Sequence, residues 1–482
     1  MAAGISGRHF FNTAKGDGSV STKELTKTAA ARRKGDPTSL TSALKNGGPI
    51  VWLSCLIMGL GNIAAGQFIK GLIFLAIEIG IIAYMVIPTG GSYWLSMLPS
   101  LGDRPTEEVW NEDLGIYEYV TGDNSQQILL YAVATMVVLV VAVVVWRASI
   151  RSGYIALSAK KAGKKPMTFV QDLKSLLDEN IHKMLMMPPF VMLTIFTIVP
   201  LIYMMLMAFT NYSKVGEHLT LFDWVGIETF VSLFDGDSAI GKQFGDVLAW
   251  TLIWAFFATF LNFFAGTILA MIINRPITRL KGMWRGILSL TIAVPQFVSL
   301  LIIRTMLKDE GIVNSTLIEL GLIDKALPFF TNETWAKCTI IIVNLWVGIP
   351  YTVMQVTGIL QNIPAEQYEA ARIDGANVVQ QFMNITLPYM IFVLTPYIIT
   401  SFTGNINNFN IIYLLSGGGP TMVGNSAGET DLLVTWLYKL SVDKQEYNMA
   451  AVIGIFTFVV LAIVALVTYR SSGSYKDEEG FK

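Results

Sequence analysis

Long apolar runs separated by polar segments dominate the chain. Each run is long enough for an α-helix to cross the hydrocarbon core of a bilayer, which takes roughly 20 residues. Eight runs meet this length: 71–88, 127–146, 189–209, 247–273, 286–307, 338–359, 385–403 and 448–469. The pattern therefore predicts an all-α polytopic membrane protein with eight transmembrane helices.

A ninth apolar stretch, 50–69, differs because polar and flexible residues break it. The interruptions are Gly59, Gly61, Asn62, Gly66 and Gln67. Glycine and buried amides weaken a lipid-facing helix. We predict an in-plane or re-entrant helix here, with nine spans as the alternative.

The composition agrees with a membrane protein and excludes several other classes. Of 482 residues, 53% are hydrophobic and 14% are charged, whereas an average soluble domain carries about 25% charged residues. A soluble enzyme and a disordered chain are therefore excluded. The net charge of −1 gives no basic surface for nucleic acid. Neither the two cysteines nor the three dispersed histidines suggest a disulfide framework or a metal site.

Lysine and arginine are distributed unevenly between the polar segments. Eight lie in 1–49, eight in 147–188 and four in 274–285, whereas 89–126 has one base against seven acids. Since positive residues favour the cytoplasmic side, these counts place both termini in the cytoplasm and 89–126 outside. An odd number of crossings must then lie in 50–88, which favours eight spans over nine. No secretory signal is expected in the polar first 49 residues.

These features divide the chain into four parts. We predict a cytoplasmic polar tail over 1–49 and a two-span unit with a basic cytoplasmic segment over 50–188. A six-span core follows over 189–470, and a second cytoplasmic tail covers 471–482.

The cytoplasmic segment 360–384 carries the most informative motif. Pro364 suits the first turn of a helix, and the acidic Glu369 precedes the small pair Ala370-Ala371. Gly375 permits a left-handed turn before a second helical stretch. The residues predict a helix–turn–helix with a low, carboxylate-bearing surface for another protein. Composition alone is equally compatible with an ordinary amphipathic loop.

The spacing within this segment resembles the EAA signature of binding-protein-dependent ABC importer membrane subunits. Glu369-Ala-Ala is followed after three residues by Gly375, and nine further residues lead to Ile385 and Leu387-Pro388. The resemblance implies a coupling helix that contacts an ATPase subunit. It assigns that contact to Glu369, Ala370, Ala371 and Gly375.

The predicted core, roughly 189–470, resembles the MalF-type subunits of maltose/maltodextrin importers. Three stretches carry the likeness: Asn344–Tyr351, Ser401–Phe409 and Thr430–Val434. The resemblance implies a six-helix type I permease core whose substrate-contacting positions are Val347, Gly348, Tyr351, Ser401, Gly404, Asn405 and Asn408. From the residues alone, the asparagines fit a structural role, in helix–helix contacts or an interfacial loop, as well as they fit a sugar site.

Two departures from the resemblance matter. Gly404 stands where a bulky aromatic is found in the family, which leaves ligand size open. The segment 210–246 is short, whereas the best-known members carry a large folded insertion after the first core span. Contact with a binding protein must therefore differ.

The resemblance also implies the partners. These are a second permease subunit of the MalG type, a MalK-type ATPase homodimer and an extracytoplasmic sugar-binding protein, all at the cell membrane. The chain contains no Gly-x4-Gly-Lys-Ser/Thr motif, so ATP-Mg is used by the separate ATPase. This chain is expected to bind no cofactor or metal and not to be an enzyme.

Other functions remain as alternatives. Related permeases carry raffinose-type or multiple sugars, and pocket geometry rather than sequence decides between them. An ion-coupled secondary transporter would need intramembrane acids such as Glu78. We favour a structural pairing for Glu78, because it lies outside the predicted core. A membrane-embedded enzyme lacks any cluster of catalytic residues.

Overall fold

The computed structural model describes residues 39–111, 115–178, 180–275 and 277–471. Its helices are α1 (Leu40–Asn46), α2 (Pro49–Leu53), α3 (Leu60–Ala65), α4 (Phe68–Val86), α5 (Gly91–Met97), α6 (Ser125–Lys161), α7 (Phe169–Leu177), α8 (Ile181–Leu193), α9 (Val199–Met207), α10 (Glu228–Phe234), α11 (Ala239–Asn274), α12 (Lys281–Ala293), α13 (Gln296–Met306), α14 (Ile312–Glu319), α15 (Glu333–Leu360), α16 (Ala365–Ile373), α17 (Val378–Gln381), α18 (Leu387–Ile406), α19 (Phe409–Leu415), α20 (Leu433–Tyr438) and α21 (Tyr447–Ser471). Short π-helical segments, Thr194–Ile198, Phe382–Thr386 and Lys439–Asp443, join α8 to α9, join α17 to α18 and follow α20. The strands β1 (Glu107–Asn111) and β2 (Ile116–Val120) pair antiparallel.

The described residues contain seven or eight candidate membrane-spanning helices, in agreement with the predicted polytopic all-helical fold. Seven helical segments are long and apolar enough to cross a membrane, and a bent helix pair supplies an eighth. The seven are Phe68–Val86, Ser125–Lys161, Ile181–Met207, Ala239–Asn274, Glu333–Leu360, Val378–Leu415 and Tyr447–Arg470. Six of these segments, counting the pair, begin after Asn180.

The bent pair corrects one detail of the prediction. The run 286–307 was expected to form one continuous helix, but α12 and α13 meet at 89°. Pro295 causes the break, because proline disfavours the helical conformation of the residue before it. Val294 is accordingly extended, with φ −74° and ψ 128°.

The interrupted stretch 50–69 forms the short helices α2 and α3, and neither is long enough to span a bilayer. Gly59 and Gly66 bound α3 with φ of +83° and +97°, a conformation that glycine adopts without a steric penalty. The prediction that this stretch is not a span is therefore confirmed.

Glu78 has the structural pairing that we favoured. It lies on α4, and its Oε2 accepts a hydrogen bond from the backbone N–H of Met58 at 2.8 Å. Met58 belongs to the turn between α2 and α3. Backbone N–H groups at the start of a helix have no acceptor within that helix, so the Glu78 carboxylate supplies one.

The described residues divide into two compact units. The first contains the residues up to Pro99 together with Gln127–Pro200, and the second contains Ser100–Gln126 together with the residues from Leu201. In the first unit, a small core joins Ala43 and Val51 to Ile150 and Leu157 of α6. The predicted tail 1–49 thus ends in a helix, α1, that belongs to this unit. Residues 1–38 and the predicted tail beyond Ser471 lie outside the described residues.

In the second unit, α11 lies at the centre and packs against both α15 and α18. Its buried face repeats small or short polar residues every three or four positions, which lets neighbouring helices approach closely. These residues are Ala255, Ala258, Thr259, Asn262, Gly266, Thr267 and Ala270. Phe263, Val353 and Met390 then form a shared apolar cluster among the three helices.

The hairpin β1–β2 is the one departure from the predicted all-helical fold among the described residues. It lies in 89–126, the segment predicted to be external, and Trp110 contacts the cross-strand Tyr117 at a ring distance of 5.0 Å. Short exposed strands bury little apolar surface, so their hydrophobic pattern is too weak to predict them.

Candidate functional site

The segment after α15 forms the predicted helix–turn–helix. Helix α16 begins after Pro364, with Glu366 in its first turn and Arg372 in its last. Both charges lie where they complement the helix dipole. None of the residues of α16 is buried, so sequence-local effects rather than a core hold this helix together.

Gly375 ends α16 in a Schellman motif. Its φ is +80°, its N–H donates to the Arg372 carbonyl at 3.1 Å, and the Ala376 N–H donates to the Ala371 carbonyl at 2.8 Å. This double hydrogen bond requires a left-handed residue at the position of Gly375. Asn377 then caps α17 through reciprocal bonds with Gln380.

Three of the four predicted coupling residues are exposed on this segment. Glu369, Ala370 and Gly375 are exposed, and Ala371 is half-buried. Neighbouring Ile373 is 86% exposed, which is unusual for isoleucine. A carboxylate, small side chains and an exposed apolar residue together suit contact with another protein.

A side-chain contact connects α16 to the following span. The Tyr368 hydroxyl lies 2.9 Å from the Thr386 hydroxyl, one residue before α18 begins. Thr386 is buried, whereas Tyr368 is half-buried. The exposed helix is thus attached to the base of α18.

The substrate-contact residues predicted from the resemblance fall in two regions, on α15 and around the junction of α18 and α19. Val347, Gly348 and Tyr351 occupy one face of α15, since they are one and four positions apart. Tyr351 is 49% exposed. Gly348 packs against the Asn262 amide of α11, and a side chain at this position would overlap that amide. The structure therefore gives Gly348 a packing role whatever else it contacts.

The other predicted residues lie at the end of α18 and the start of α19. Asn408 caps α19 and donates from Nδ2 to Asn405 Oδ1 at 3.2 Å. Asn405 donates in turn to Thr259 Oγ1 of α11 at 3.0 Å, and its carbonyl accepts from the Trp254 indole N–H at 3.1 Å. Ser401 is half-buried and Gly404 is exposed, with no atom within 4 Å of where its side chain would begin.

Two residues of α11 connect the predicted contact residues of α15 with those at the junction of α18 and α19. Neither was predicted from the sequence. Thr259 bonds Asn405, and Asn262, one turn away, contacts Gly348. We call Thr259, Asn262, Asn405 and Asn408 the polar strip. Asn262 donates to the Ala258 carbonyl at 2.7 Å, while its buried Oδ1 has no partner among the described residues. The available signal was an asparagine in the middle of the apolar run 247–273.

No ionisable side chain belongs to the polar strip or to the predicted contact residues, apart from the Tyr351 phenol. The strip offers amide and hydroxyl groups, which can donate and accept hydrogen bonds to sugar hydroxyls. Within the described residues, no group of three or more histidine, cysteine, aspartate or glutamate side chains could hold a metal ion.

The loop 416–432, here called the Asp431 loop, follows α19. Asp431 is fully buried and accepts three hydrogen bonds: from the Thr435 hydroxyl at 2.9 Å, the Gly428 N–H at 2.7 Å and the Lys439 ammonium at 2.5 Å. Its carboxylate is thus paired and satisfied, as a buried charge requires.

Glu429 of this loop is in a different situation. Burial raises the pKa of its carboxyl, the nearby Glu333 carboxylate raises the pKa further, and Lys337 partly opposes both effects. In the segment 89–126, by contrast, hydrogen bonds and charge from Arg104 hold the pKa of Asp123 below its usual range.

Comparison with known proteins identifies the family. Residues 262–472 match the family described as "Binding-protein-dependent transport system inner membrane component". The chain is 34% identical over 434 residues to the galactooligosaccharides transport system permease protein GanP of Bacillus subtilis, covering 89% of this chain and 99% of that protein. It is 34% identical over 439 residues to the maltodextrin transport system permease protein MalC of Streptococcus pneumoniae, covering 89% and 96%.

A solved structure agrees with these relatives. The chain superposes with a TM-score of 0.50 and 25% identity on a bacterial ABC transporter involved in the import of the acidic polysaccharide alginate, covering 62% of this chain and 96% of that one. The multi-span architecture, the EAA segment and these relatives lead to one conclusion. The chain belongs to the binding-protein-dependent transport system inner membrane components, and it is a membrane permease subunit of an ABC importer rather than an enzyme.

Proposed function

We propose that this chain forms half of the translocation pathway of an importer for neutral oligosaccharides, with maltodextrins as the leading substrate. The observation that carries this proposal is the uncharged polar strip. It contacts Gly348, which lies one turn along α15 from the exposed Tyr351. An acidic saccharide would need cationic partners at this depth, and the strip has none. Amides fit sugar hydroxyls, and an aromatic ring covers the apolar face of a sugar.

We further infer that α16 is the coupling helix, which docks on a separate ATPase subunit that binds ATP-Mg. Its exposed surface and its lack of a core of its own support this assignment. In this proposal Glu369, Ala370, Ala371 and Gly375 make the contact. A second permease subunit completes the pathway, and a sugar-binding protein delivers the substrate from outside. Both termini then lie in the cytoplasm, as the charge distribution predicts.

The geometry suggests how movement at α16 would reach the sugar. Tyr368 contacts Thr386 at the base of α18, and α18 carries Ser401, Gly404 and Asn405 at its far end. A shift of α16 therefore acts on one end of a helix whose other end holds the polar strip. Because Asn405 is bonded to Thr259, α18 and α11 would move together or break that bond.

Galactooligosaccharides are the second candidate substrate. The observation that favours them is the relative GanP, which is as similar to this chain as the maltodextrin permease MalC. Raffinose-type and multiple sugars form the broader set, since discrimination depends on hydroxyl geometry.

Uptake of radiolabelled maltotriose in cells with and without this gene tests the proposal, at matched ATP. We expect deletion to stop uptake and the wild-type gene to restore it. Unlabelled galactobiose and an alginate trisaccharide serve as competitors, and neither should compete. Competition by galactobiose alone would move the assignment to galactooligosaccharides, and competition by the alginate fragment would overturn a neutral substrate.

Gly404→Trp tests the site itself. The open space around Gly404 accepts a large side chain, so we expect the protein to fold and uptake to become restricted to shorter oligosaccharides. Gly80→Trp is the matched control, because Gly80 is also exposed and open but lies on α4 of the first unit. An unchanged chain-length profile for Gly404→Trp would remove Gly404 from the proposed pathway.

A further inference from the structure

A large basic cavity in the first unit has no part in the proposed transport mechanism. It encloses about 910 Å³ and is lined by residues of α1, α4, α6, α7, α8 and the linker 162–168. Six of the lining side chains are basic: Lys70, Arg147, Arg151, Lys164, Lys165 and Lys183. Among the described lining residues, Asp172 is the only acid. A cavity with this excess of positive charge suits an anionic ligand.

Part of this charge is already used inside the protein. Lys70 pairs with Asp172 at 2.8 Å, and Lys183 donates to Asn180 Oδ1 at 2.7 Å. Within the described residues, the side chains of Arg147, Lys164 and Lys165 make no ion pair or hydrogen bond with the protein. These three are therefore available to a ligand.

The cavity lies at the level where a span meets water. Arg147 directly follows the apolar run 127–146 of α6, and Arg151, Ile155 and Ala159 continue along the same helix face towards the polar end. Lys70 is the third residue of the span α4. Phospholipid phosphates occupy this level, immediately outside the hydrocarbon core.

Helix α7 independently indicates that the cavity lies at the membrane–water interface. Its apolar side chains recur at helical spacing and are exposed: Phe169, Val170, Leu173, Leu176 and Leu177. Asp172, at the edge of this apolar face, lines the cavity. A short amphipathic helix with an uncovered apolar face lies in the plane of the membrane interface.

We propose that this cavity binds a phosphate group, supplied by the headgroup of an anionic phospholipid in the membrane leaflet that faces it. Arg147 can bind two phosphate oxygens at once, and Lys164 and Lys165 add point charges. The apolar face of α7 lies beside the acyl chains. The charge distribution assigns this leaflet to the cytoplasmic side, where anionic lipids attract basic segments.

Lipid titration of the full-length chain in an uncharged detergent tests this site. The ligands are short-chain phosphatidylglycerol and phosphatidylcholine, and a second arm uses inorganic phosphate and glycerol 3-phosphate. We expect phosphatidylglycerol to bind at least about tenfold more tightly than phosphatidylcholine, which is about 1.4 kcal/mol. Equal affinity for the two lipids would overturn the proposal. Saturation by the soluble phosphates, without a preference for phosphatidylglycerol, would overturn a lipid as the source.

Matched pairs of variants distinguish a specific phosphate-binding site from general electrostatic attraction. Arg147→Gln with Lys165→Gln removes two lining charges and should bring the lipid preference within about twofold. Lys161→Gln with Lys174→Gln removes two charges from neighbouring positions outside the lining and should retain the preference. Equal loss in both pairs would indicate general attraction and overturn the site. Arg147→Lys should keep part of the preference, and an unchanged thermal transition in phosphatidylcholine confirms that each variant folds.

Discussion

The Asp431 loop and helix α16, which lie on either side of the segment Val378–Leu415, differ in how they place their charged side chains. The Asp431 loop buries its key charge completely and satisfies it with Thr435, Gly428 and Lys439. Helix α16, before the other end of the same segment, buries no residue and directs its carboxylates outwards. One loop is stabilised by its own interior, whereas α16 buries none of its residues within the described part of the chain. The contrast is between a structural loop and a helix that we propose docks on another subunit.

The largest expected effect on stability comes from Asp431→Ala. The change leaves the Lys439 ammonium, whose side chain is 16% exposed, without its carboxylate. Breaking a buried pair by removing one partner costs about 3–5 kcal/mol. We expect the midpoint temperature of thermal unfolding of the detergent-solubilised protein to fall strongly. Asp443→Ala removes an exposed carboxylate nearby, and its transition should stay close to that of the wild type.

Glu369→Lys should have the opposite effect: transport is lost while the stability of the protein is unchanged. Glu369 is exposed and belongs to the predicted contact surface, so the variant should insert and melt like the wild type but lose maltotriose uptake. Glu366→Lys reverses a second exposed charge on the same helix and should retain most uptake. Normal uptake by Glu369→Lys, or equal loss in both variants, would contradict a specific coupling role for Glu369.

Gly375→Ala tests the turn without altering charge. The space around Gly375 is open, so the cost comes from the φ of +80° alone and amounts to about 1–2 kcal/mol in this turn. We expect reduced uptake and only a small change in the global thermal transition, because α16 is not part of the core. Gly358→Ala, at an open helical glycine of α15, should leave uptake unchanged.

The smallest expected effect is a change in pH dependence at Glu429. Its pKa is raised in the folded protein, so folding is favoured by proton binding. The stabilisation is present below the unfolded pKa and is lost as the pH rises through the folded pKa. Glu429→Gln should flatten this part of the stability profile, measured by thermal melting across the acidic range. An unchanged slope would contradict the assignment.

The same comparison explains how much of each site could be predicted from the sequence. The EAA segment is local: a proline and a glycine at fixed offsets predict its two helices and the turn between them, and the structure contains each feature. The Asp431 loop was noted only through its likeness to a family stretch. Its carboxylate depends on Lys439, eight residues away across a helix, and no sequence rule predicted that pairing.

The polar strip lies between these cases. Asn405 and Asn408 drew attention because amides near a membrane are costly without partners. Their connection to Thr259 joins residues 146 positions apart, which periodicity within a single helix cannot reveal. Asn262 carried a comparable signal in another span, but its proximity to Gly348 required the packing of α11 against α15.

The sequence by itself determined the apolar spans, the uncharged asparagines near the end of one span and the helix–turn–helix of the EAA segment. These depend on local hydrophobicity, on helical spacing and on caps, all of which act within a few residues. The tertiary structure decided the bend at Pro295, the role of Gly348, the partner of Asp431 and the basic cavity beside α7. Each of these depends on which helices pack together, because close packing brings distant residues into contact in only one of many possible pairings.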